Sequence, residues 1–309
     1  SDVAELISSA LNDAPTLDNS GTPSITTTDE DTISPATLVS AFIASGAGGD
    51  PISDPDIGAL EGIGILATAG NGTWQYNTGG GFISIPAVNA TNALLLSDAN
   101  SLRYVPDYKN GETAFFTFVA WDQAFGIVGA LADPNPNGGT TAYSVAQDIG
   151  RIVVTHLNDA PNLDESDEMN FTTITEDDTL NNGNLVQALI DNSTANGGNA
   201  ITDVDIPADP EGWAIVGSSV TGTGGGTWQY STDAGTSWLA VGTVNFNSAL
   251  LLRAGADRLR FLPDADNATT ANLTIHAWDQ DSNVASDRVN LAVLGTGGTT
   301  AFSTADEED

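Results

Sequence analysis

Short stretches in which apolar and polar residues alternate, separated by glycine-rich turns, make up most of the chain. From Phe115 to Trp121 every second residue falls on one face, and Leu273, Ile275 and Ala277 repeat this alternation further along. A period of two is typical of β-strands, and turns of this kind join neighbouring strands into hairpins. Spacing of four, which is typical of a helical turn, occurs only at 35–43 and 184–190. The pattern therefore predicts an all-β protein of Greek-key sandwiches with about seven or more strands each.

The chain contains two copies of one sequence unit, because six blocks recur in the same order. The paired blocks are Ile52–Ile57 with Ile201–Ile206, Gly72–Tyr76 with Gly226–Tyr230, Ala93–Leu96 with Ala249–Leu252, Leu102–Asp107 with Leu259–Asp264, Ala120–Gln123 with Ala277–Gln280, and Gly138–Tyr143 with Gly297–Phe302. Such an ordered series indicates a duplicated domain.

The boundary between the copies lies in the segment 151–161. An alternating strand pattern there runs into Asn158-Asp-Ala-Pro161, and the same four residues occur as Asn12-Asp-Ala-Pro15. Asn, Asp and Pro favour a turn after a strand. We therefore predict a short N-terminal strand at 1–11 and two sandwiches at 12–157 and 158–309.

Composition limits the range of partners. Among 309 residues there are 41 Asp plus Glu and only 7 Lys plus Arg, which gives a formal net charge of −34. A chain this acidic repels nucleic acid and anionic membranes, so we expect neither as a partner. The excess of carboxylates opposes compaction unless cations neutralise it; adaptation to a salty environment explains the charge equally well.

The absence of cysteine from the sequence excludes disulfides and thiolate metal sites. No apolar run approaches the roughly 18 residues of a membrane span, and no signal peptide is present, so we expect a mature, secreted chain without membrane insertion. Bound cations are then an alternative source of stabilisation for an extracellular fold.

The acidic residues suggest calcium sites. Ca²⁺ takes six to eight oxygen ligands, and an Asp-x-Asp pair on an extended segment directs two carboxylates to one side. The predicted ligands in the first unit are Asp13, Asp29, Asp31, Asp54, Asp56 and Asp122. The predicted ligands in the second unit are Asp159, Glu176, Asp178, Asp203, Asp205 and Asp279. Any single Asp among them is equally well explained as a turn or cap residue.

The combination of motifs resembles the tandem cadherin-like repeats of large bacterial surface adhesins and matrix proteins. It comprises the Asn-Asp-Ala-Pro linkers, the acidic runs at 28–31 and 175–178, the Asp-x-Asp pairs, Gly-Thr-Trp-Gln-Tyr, and the Ala-Trp-Asp-Gln blocks. The resemblance covers nearly the whole chain and implies Ig-like sandwiches, secretion, and calcium near domain junctions. Proteins of this class are usually long arrays, so two units depart from the pattern.

The chain ends suggest a way to assemble. The second unit stops at Asp309, where the first continues into the closing strand at 149–157, while residues 2–11 align without gaps on 148–157. Val3, Leu6 and Ile7 then correspond to the apolar residues of the closing strand. An open edge invites donation of that strand between subunits, and a contact between opposite ends of the chain propagates as an open filament.

Three interpretations of these ends remain. In the first, the chain polymerises head to tail, with Val3, Leu6, Ile7 and Phe302 at the subunit contact. In the second, it is an excised adhesin segment that extends a stalk or binds a surface glycan or protein. In the third, the N-terminal strand folds back within one molecule. An exposed aromatic cluster around Trp238 would favour glycan binding.

No motif favours an enzyme. The acidic clusters occur in duplicated turns, His156 and His276 have no counterparts in the other unit, and no nucleophile elbow is present. The tryptophans shared by the two units, Trp74, Trp228, Trp121 and Trp278, are predicted to be core anchors. Sequons for N-glycosylation begin at Asn71, Asn89, Asn170, Asn192, Asn267 and Asn272.

Overall fold

The computed structural model describes residues 10–166, 169–193 and 198–304, together with the backbone of Glu307 and Glu308. The chain divides into two compact units, residues 1–157 and 158–309. Nearly all regular structure is β, which confirms the all-β fold class. The helices of the described residues are too short to cross a bilayer.

The first unit is built from two main sheets. Its strands are β1 (Thr16–Leu17), β2 (Thr28–Asp29), β3 (Thr37–Leu38), β4 (Ile52–Ser53), β5 (Gly62–Ala69), β6 (Thr73–Asn77), β7 (Ile83–Ser84), β8 (Ala93–Ser97), β9 (Ser101–Val105), β10 (Glu112–Trp121), β11 (Leu131–Ala132) and β12 (Tyr143–Thr155). One sheet has the order β11-β8-β5-β10-β12-β2 and the other β3-β9-β6-β7, while β1 pairs with β4. Helix α1 (Val39–Ile43) follows β3, and a 3₁₀ turn covers Ala47–Gly49.

The second unit repeats this topology. Its strands are β13 (Asn162–Leu163), β14 (Asn184–Leu185), β15 (Ile201–Thr202), β16 (Gly212–Gly222), β17 (Gly226–Ser231), β18 (Leu239–Ala240), β19 (Ala249–Arg253), β20 (Arg258–Pro263), β21 (Thr269–Trp278), β22 (Arg288–Val289) and β23 (Glu307–Glu308). The sheet orders are β22-β19-β16-β21-β23 and β14-β20-β17-β18, with β13 paired to β15. Helices α2 (Val186–Ile190) and α3 (Leu291–Leu294) complete it, so α1 and α2 confirm both predicted helical turns.

Strand alternation places the main core between the two sheets of each unit. In β10 the buried Phe116 and Phe118 face that core, where Phe42 of α1 and Trp74 of β6 pack with ring centroids 5.0 Å from Phe116. Phe115, on the opposite face, is 40% exposed. The face predicted from Phe115 to Trp121 is therefore the outer face of the sheet.

A second, smaller core covers part of that outer face in each unit. Trp121 packs there with Tyr143 in the first unit, and Trp278 packs with Phe302 in the second. Phe302 is only 1% exposed, so it supports its own unit from within and does not provide the subunit contact predicted for it. All four tryptophans predicted as anchors are buried.

The closing edge is where the two units differ. In the first, β12 pairs with β10 from Tyr143 opposite Trp121 to Val154 opposite Glu112. In the second, Phe302 bridges to Trp278, and β23 places Glu307 opposite Ile275 and Glu308 opposite Thr274. The register is the same, but within the described residues no strand pairs with positions 269–272 of β21 on this side. Val3, Leu6 and Ile7 lie outside the described residues.

Candidate metal centre

In the first unit, three separate segments carrying acidic motifs converge at one end of the sandwich. The pairing of β1 with β4 brings the Asn12-Asp13 turn beside the Asp-Pro-Asp turn at 54–56, and the backbone N–H of Asp13 donates to Asp56 Oδ2 at 2.8 Å. The side chain of Asn12 donates to Asp122 Oδ2, also at 2.8 Å. Asp122 follows directly on β10, so the end of the central strand joins the cluster.

Local turn chemistry fixes two of these carboxylates. The N–H of Asp56 donates to Asp54 Oδ1 at 2.8 Å, and the N–H of Ala124 donates to Asp122 Oδ1 at 2.7 Å. Both are Asx turns, in which an Asp side chain accepts from the backbone two residues on. Gln123, at a positive φ of 66°, donates to the carbonyl of Glu61 at 2.6 Å and anchors the turn after β10. The duplicated Trp-Asp-Gln block therefore builds a turn and also contains a candidate ligand.

The second unit reproduces the arrangement bond for bond. Asp159 N donates to Asp205 Oδ2 at 3.0 Å, and Asp205 N donates to Asp203 Oδ1 at 2.9 Å. Asn158 Nδ2 donates to Asp279 Oδ2 at 2.9 Å. Two independent copies of the same network show that the recurring motifs serve one local structure.

In the second unit, the buried carboxyl of Asp279 lies near other acidic side chains. Burial raises the pKa of Asp279 to about 6, and the charges of Asp203 and Asp209 add to this, although hydrogen bonds from Asn158 and Asp281 oppose it. Asp209 was missed by sequence reasoning, because it lies outside the recurring blocks.

Two oxygen atoms in the clusters also lack protein partners. Asp54 Oδ2 in the first unit and Asn158 Oδ1 in the second are buried without a hydrogen bond. Buried acceptors of this kind are costly unless something satisfies them. An all-oxygen, acidic donor set with unsatisfied acceptors fits a hard cation such as Ca²⁺.

The acidic side chains of each cluster are not positioned to coordinate one ion as they stand. Taking each unit separately and only its described residues, no three Asp, Glu or His side chains bring their ligand atoms within 4.8 Å of one another. Asp13 contributes its N–H while its side chain is exposed. A bound cation would therefore have to pull the carboxylates inward.

Four of the predicted ligands do not belong to these clusters. In the first unit Asp29 lies in β2 opposite Thr155, the last residue of β12. The acidic cluster is at the other end of this strand, where Tyr143 lies opposite Trp121. Asp31 follows Asp29 in the next turn. Twelve residues of strand at about 3.3 Å each separate the two ends by roughly 40 Å. Spacing along the sequence could not reveal this separation, because it depends on where the paired strand runs.

The same correction applies to the second unit. Glu176 and Thr269 line the same hollow, at the opposite end of β21 from Asp279. Asp178 is two residues further on and accepts from the N–H of Thr175 at 2.8 Å, as an exposed turn residue does. The predicted ligand sets therefore shrink to four acidic residues per unit.

The far end of the first unit has a charged centre that the sequence reading did not identify. Glu30 is 1% exposed; its Oε1 accepts from the N–H of Leu157 at 2.8 Å and lies 3.2 Å from His156 Nδ1. In the sequence, Glu30 stands between Asp29 and Asp31 in the acidic run 28–31, and this position was the available signal. This contact accounts for His156 structurally.

The second histidine also has a structural role. His276 in β21 is 5% exposed, and its Nδ1 lies 2.9 Å from the carbonyl of Ser303. Because a carbonyl only accepts, the proton is on Nδ1. The ring therefore ties the start of the closing segment to β21.

The aromatic and glycan predictions concern the surface. Trp213 is fully buried, whereas Trp238 is half-buried with the Arg260 guanidinium 4.1 Å from its ring centroid. Asn272 of β21 is half-buried, and the other sequon asparagines are exposed. Trp213 therefore cannot stack against a sugar at the surface.

Comparisons with known proteins assign no family. No protein-family model and no curated protein matches the chain. Among solved structures, the chain is similar to CfaE, the adhesive subunit of CFA/I fimbria of enterotoxigenic Escherichia coli, with 12% identity, 88% of this chain and 96% of that chain covered, and a TM-score of 0.29. A TM-score this low does not establish a common fold, and the cadherin-like resemblance stays a prediction.

Proposed function

We propose that this chain is a secreted, non-catalytic structural protein whose two sandwiches are stiffened by calcium. The observation that supports the proposal is the duplicated carboxylate network, which recurs with the same donors and acceptors in both units. The same hydrogen-bond network occurs in both units, and each copy contains a buried oxygen without a hydrogen bond. Such an arrangement is expected where a cation completes the coordination.

The residues that would hold the ion are Asp54, Asp56 and Asp122 in the first unit, with Asn12 or Asp13 completing the set. Their counterparts in the second unit are Asp203, Asp205, Asp279, Asn158 and Asp159. Bound Ca²⁺ would neutralise the carboxylates and join three segments that are distant in sequence. Each sandwich end would then resist being pulled apart.

Thermal unfolding in calcium and in chelator tests this function. We expect calcium to raise the melting temperatures of both units, and isothermal titration to show binding in both. Asp31→Asn, at the far end of the first unit, is the matched control and should leave the calcium response intact. Melting curves that coincide with and without calcium would refute the proposal.

A second property, head-to-tail assembly into a filament, is favoured by the edge of β21. On the side of β21 that faces away from β16, positions 269–272 have no partner strand among the described residues, and residues 2–11 align with the strand that covers the equivalent edge in the first unit. Strand donation satisfies such an edge with main-chain hydrogen bonds. Removing residues 1–11 should abolish fibres in electron micrographs, and fibres that persist would exclude this role.

The competing function is that of an adhesin segment, either a calcium-dependent extender or a module that binds a glycan or protein. The calcium network supports an extender equally well. Glycan binding has less support, because Arg260 covers one face of Trp238. Soluble chain that remains monomeric in calcium would favour the extender.

A further inference from the structure

A groove runs beside the open part of the β21 edge in the second unit. It is lined by Thr269 to Ala271 of β21, by residues 171–174, and by Trp228 and Phe261. Its volume is about 490 Å³, and it continues past Ile174 and Phe261 into a second hollow of about 380 Å³. The lining combines the apolar Phe171, Ile174 and Ala271 with polar residues such as Thr270 and Asn182.

The same position in the first unit is occupied by β12. There the strand lies between β10 and the segment 23–29: Arg151 N donates to Pro23 O at 3.1 Å, Ile25 N donates to Arg151 O at 3.0 Å, and Val154 pairs in parallel with Thr28. Ile152, opposite Ala114, is fully buried, and Val154 is 3% exposed. The groove thus corresponds to the space that, in the first unit, is filled by one strand and its inward-facing apolar side chains.

We infer that this groove receives residues 4–8 of a second copy of this chain, with Leu6 as its buried anchor. Aligning 2–11 on 148–157 puts Leu6 at the position of Ile152 and therefore opposite Ala271. Glu5 then lies opposite Asn272 and Ile7 opposite Thr270. The inference rests on the head-to-tail assembly proposed above and specifies its register and its anchor.

The register also limits the length of the contact. Val3 aligns with Ile149 and would face Thr274, but Glu308 already pairs with Thr274. The donated strand therefore starts at Ala4, and Val3 leaves the predicted interface.

The residue Ala4 fits the second unit better than it would fit the first. At the equivalent Gly150, a Cβ would approach the rings of Phe116 and Phe42 to 2.4 and 2.6 Å. In the second unit the corresponding residues are Leu273 and Leu189, which are smaller. The sequence thus provides space for a methyl group at the place where the donated strand carries one.

Engineered disulfides test the register, because the chain has no cysteine of its own. Chains carrying Glu5→Cys are mixed with size-tagged chains carrying Asn272→Cys, and oxidation should give mixed dimers. The matched control is Thr270→Cys, two residues away on the same face, which should cross-link at least tenfold less. Equal yields, or a preference for Thr270→Cys, would overturn the inference.

Chains carrying both Glu5→Cys and Asn272→Cys identify the occupant. Disulfide-linked ladders are expected, whereas a cross-linked monomer would mean that the segment inserts into its own molecule and would overturn the second-copy assignment. Leu6→Ser should abolish cross-linking, and Ile7→Ser, at the position of the 38% exposed Val153, should retain it. Equal losses would contradict Leu6 as the anchor.

The groove and the filament can fail separately. If removing residues 1–11 abolishes fibres but neither cysteine pair cross-links, assembly stands and the groove is wrong. If fibres survive the deletion, the assembly itself is refuted.

Discussion

The two units are alike at the carboxylate end and unlike at the far end. The clusters around Asp122 and Asp279 match bond for bond, whereas β12 covers its neighbour over most of its length and β23 covers only two positions. A duplicated domain has thus kept one end constant while the opposite edge diverged. The constant end is where we place calcium, and the divergent edge is where we place a partner.

Residues at the far end differ in a way that fits this division. In the first unit the hydroxyl of Tyr104 donates to Glu112, whose carboxylate also accepts the N–H of Asn71 at 2.9 Å. Burial and the hydrogen bond with Glu112 raise the pKa of Tyr104, so the phenol keeps its proton. The second unit has Phe261 and Thr269 at the equivalent positions. The second unit therefore lacks this polar link, and the residues in its place line the groove.

The largest expected effect separates the two calcium ends. Asp54→Asn should remove the calcium response of the first unit only, and Asp203→Asn that of the second only, because each asparagine keeps the Oδ1 that accepts from the backbone but loses the charge. At calcium about 100 times its dissociation constant the loss is roughly 3 kcal/mol, or about 6–12 °C in melting temperature. Calorimetry with and without chelator measures both transitions. A single substitution that removes both responses would contradict independent sites.

A slightly smaller effect tests the open edge. Appending Arg-Ile-Val-Val-Thr-His-Leu directly after Asp309 places an isoleucine and a valine where Ile152 and Val154 lie in the first unit. Burying the two side chains contributes about 3–6 kcal/mol, and the new main-chain hydrogen bonds offset most of the cost of ordering the added residues, so a net gain of about 2 kcal/mol is expected.

Calorimetry should show the second transition rising by about 4–8 °C while the first is unchanged. The appended strand should also block fibre formation, since it fills the groove. The control replaces the added isoleucine and second valine with serine. Equal stabilisation by both tails would show that the groove does not accept these side chains.

Much of this organisation was predictable because the duplication acts as an internal check. Period-two alternation predicted the strands, and spacing of four predicted both α1 and α2. The recurring Asn-Asp-Ala-Pro, Asp-x-Asp and Trp-Asp-Gln blocks predicted one acidic cluster per unit, since residues needed for one local network recur together. Asn12 was not predicted to belong to the cluster of the first unit, although it lies in a recurring block.

What the sequence could not provide was position along the strands. Asp29 and Glu176 resemble their neighbours in composition, yet the run of β12 and β21 places them at the far end. Phe302 follows a glycine-rich turn and was predicted to lie at the subunit contact, but the small outer core buries it. Both errors arise because tertiary pairing, and not local pattern, decides which end or face a residue occupies.

A moderate effect concerns the middle of the closing strands. Asp148, opposite Phe118, has a pKa raised chiefly by burial and also by the charge of Asp18, against the hydrogen bond from the N–H of Ile149. Its Oδ2 has no hydrogen-bond partner. The folded state therefore holds this proton more tightly than the unfolded chain does, so the stability of the first unit falls as pH rises from about 4 through the raised pKa.

Asp148→Asn should remove that fall. We expect a gain of about 2–4 °C in the first transition at pH 7 and none near pH 3, measured by calorimetry in chelator so that calcium does not contribute. The control is Asp18→Asn, which removes only the neighbouring charge and should give a smaller gain. A gain that is the same at both pH values would show that the charge is not the cause.

The smallest expected effect compares two stacked arginines. Arg103 lies 4.1 Å from the ring centroid of Phe82, and Arg260 lies 4.1 Å from that of Trp238. Each arginine also donates through Nε to a glutamine at 2.8 Å, so the stacking geometry is similar, and Arg260 donates in addition through Nη1 to the carbonyl of Asn181 at 3.0 Å. A cation binds the indole face more strongly than the benzyl face, by a few tenths of a kcal/mol at surface sites where the whole interaction is worth about 0.5–1 kcal/mol. Double-mutant cycles combining arginine to methionine with ring to alanine should therefore give a larger coupling energy for Trp238. If the coupling energy is larger for Phe82, the type of ring does not determine the strength of the contact. Stacking on Arg260 would then not explain why the second unit has a tryptophan at position 238.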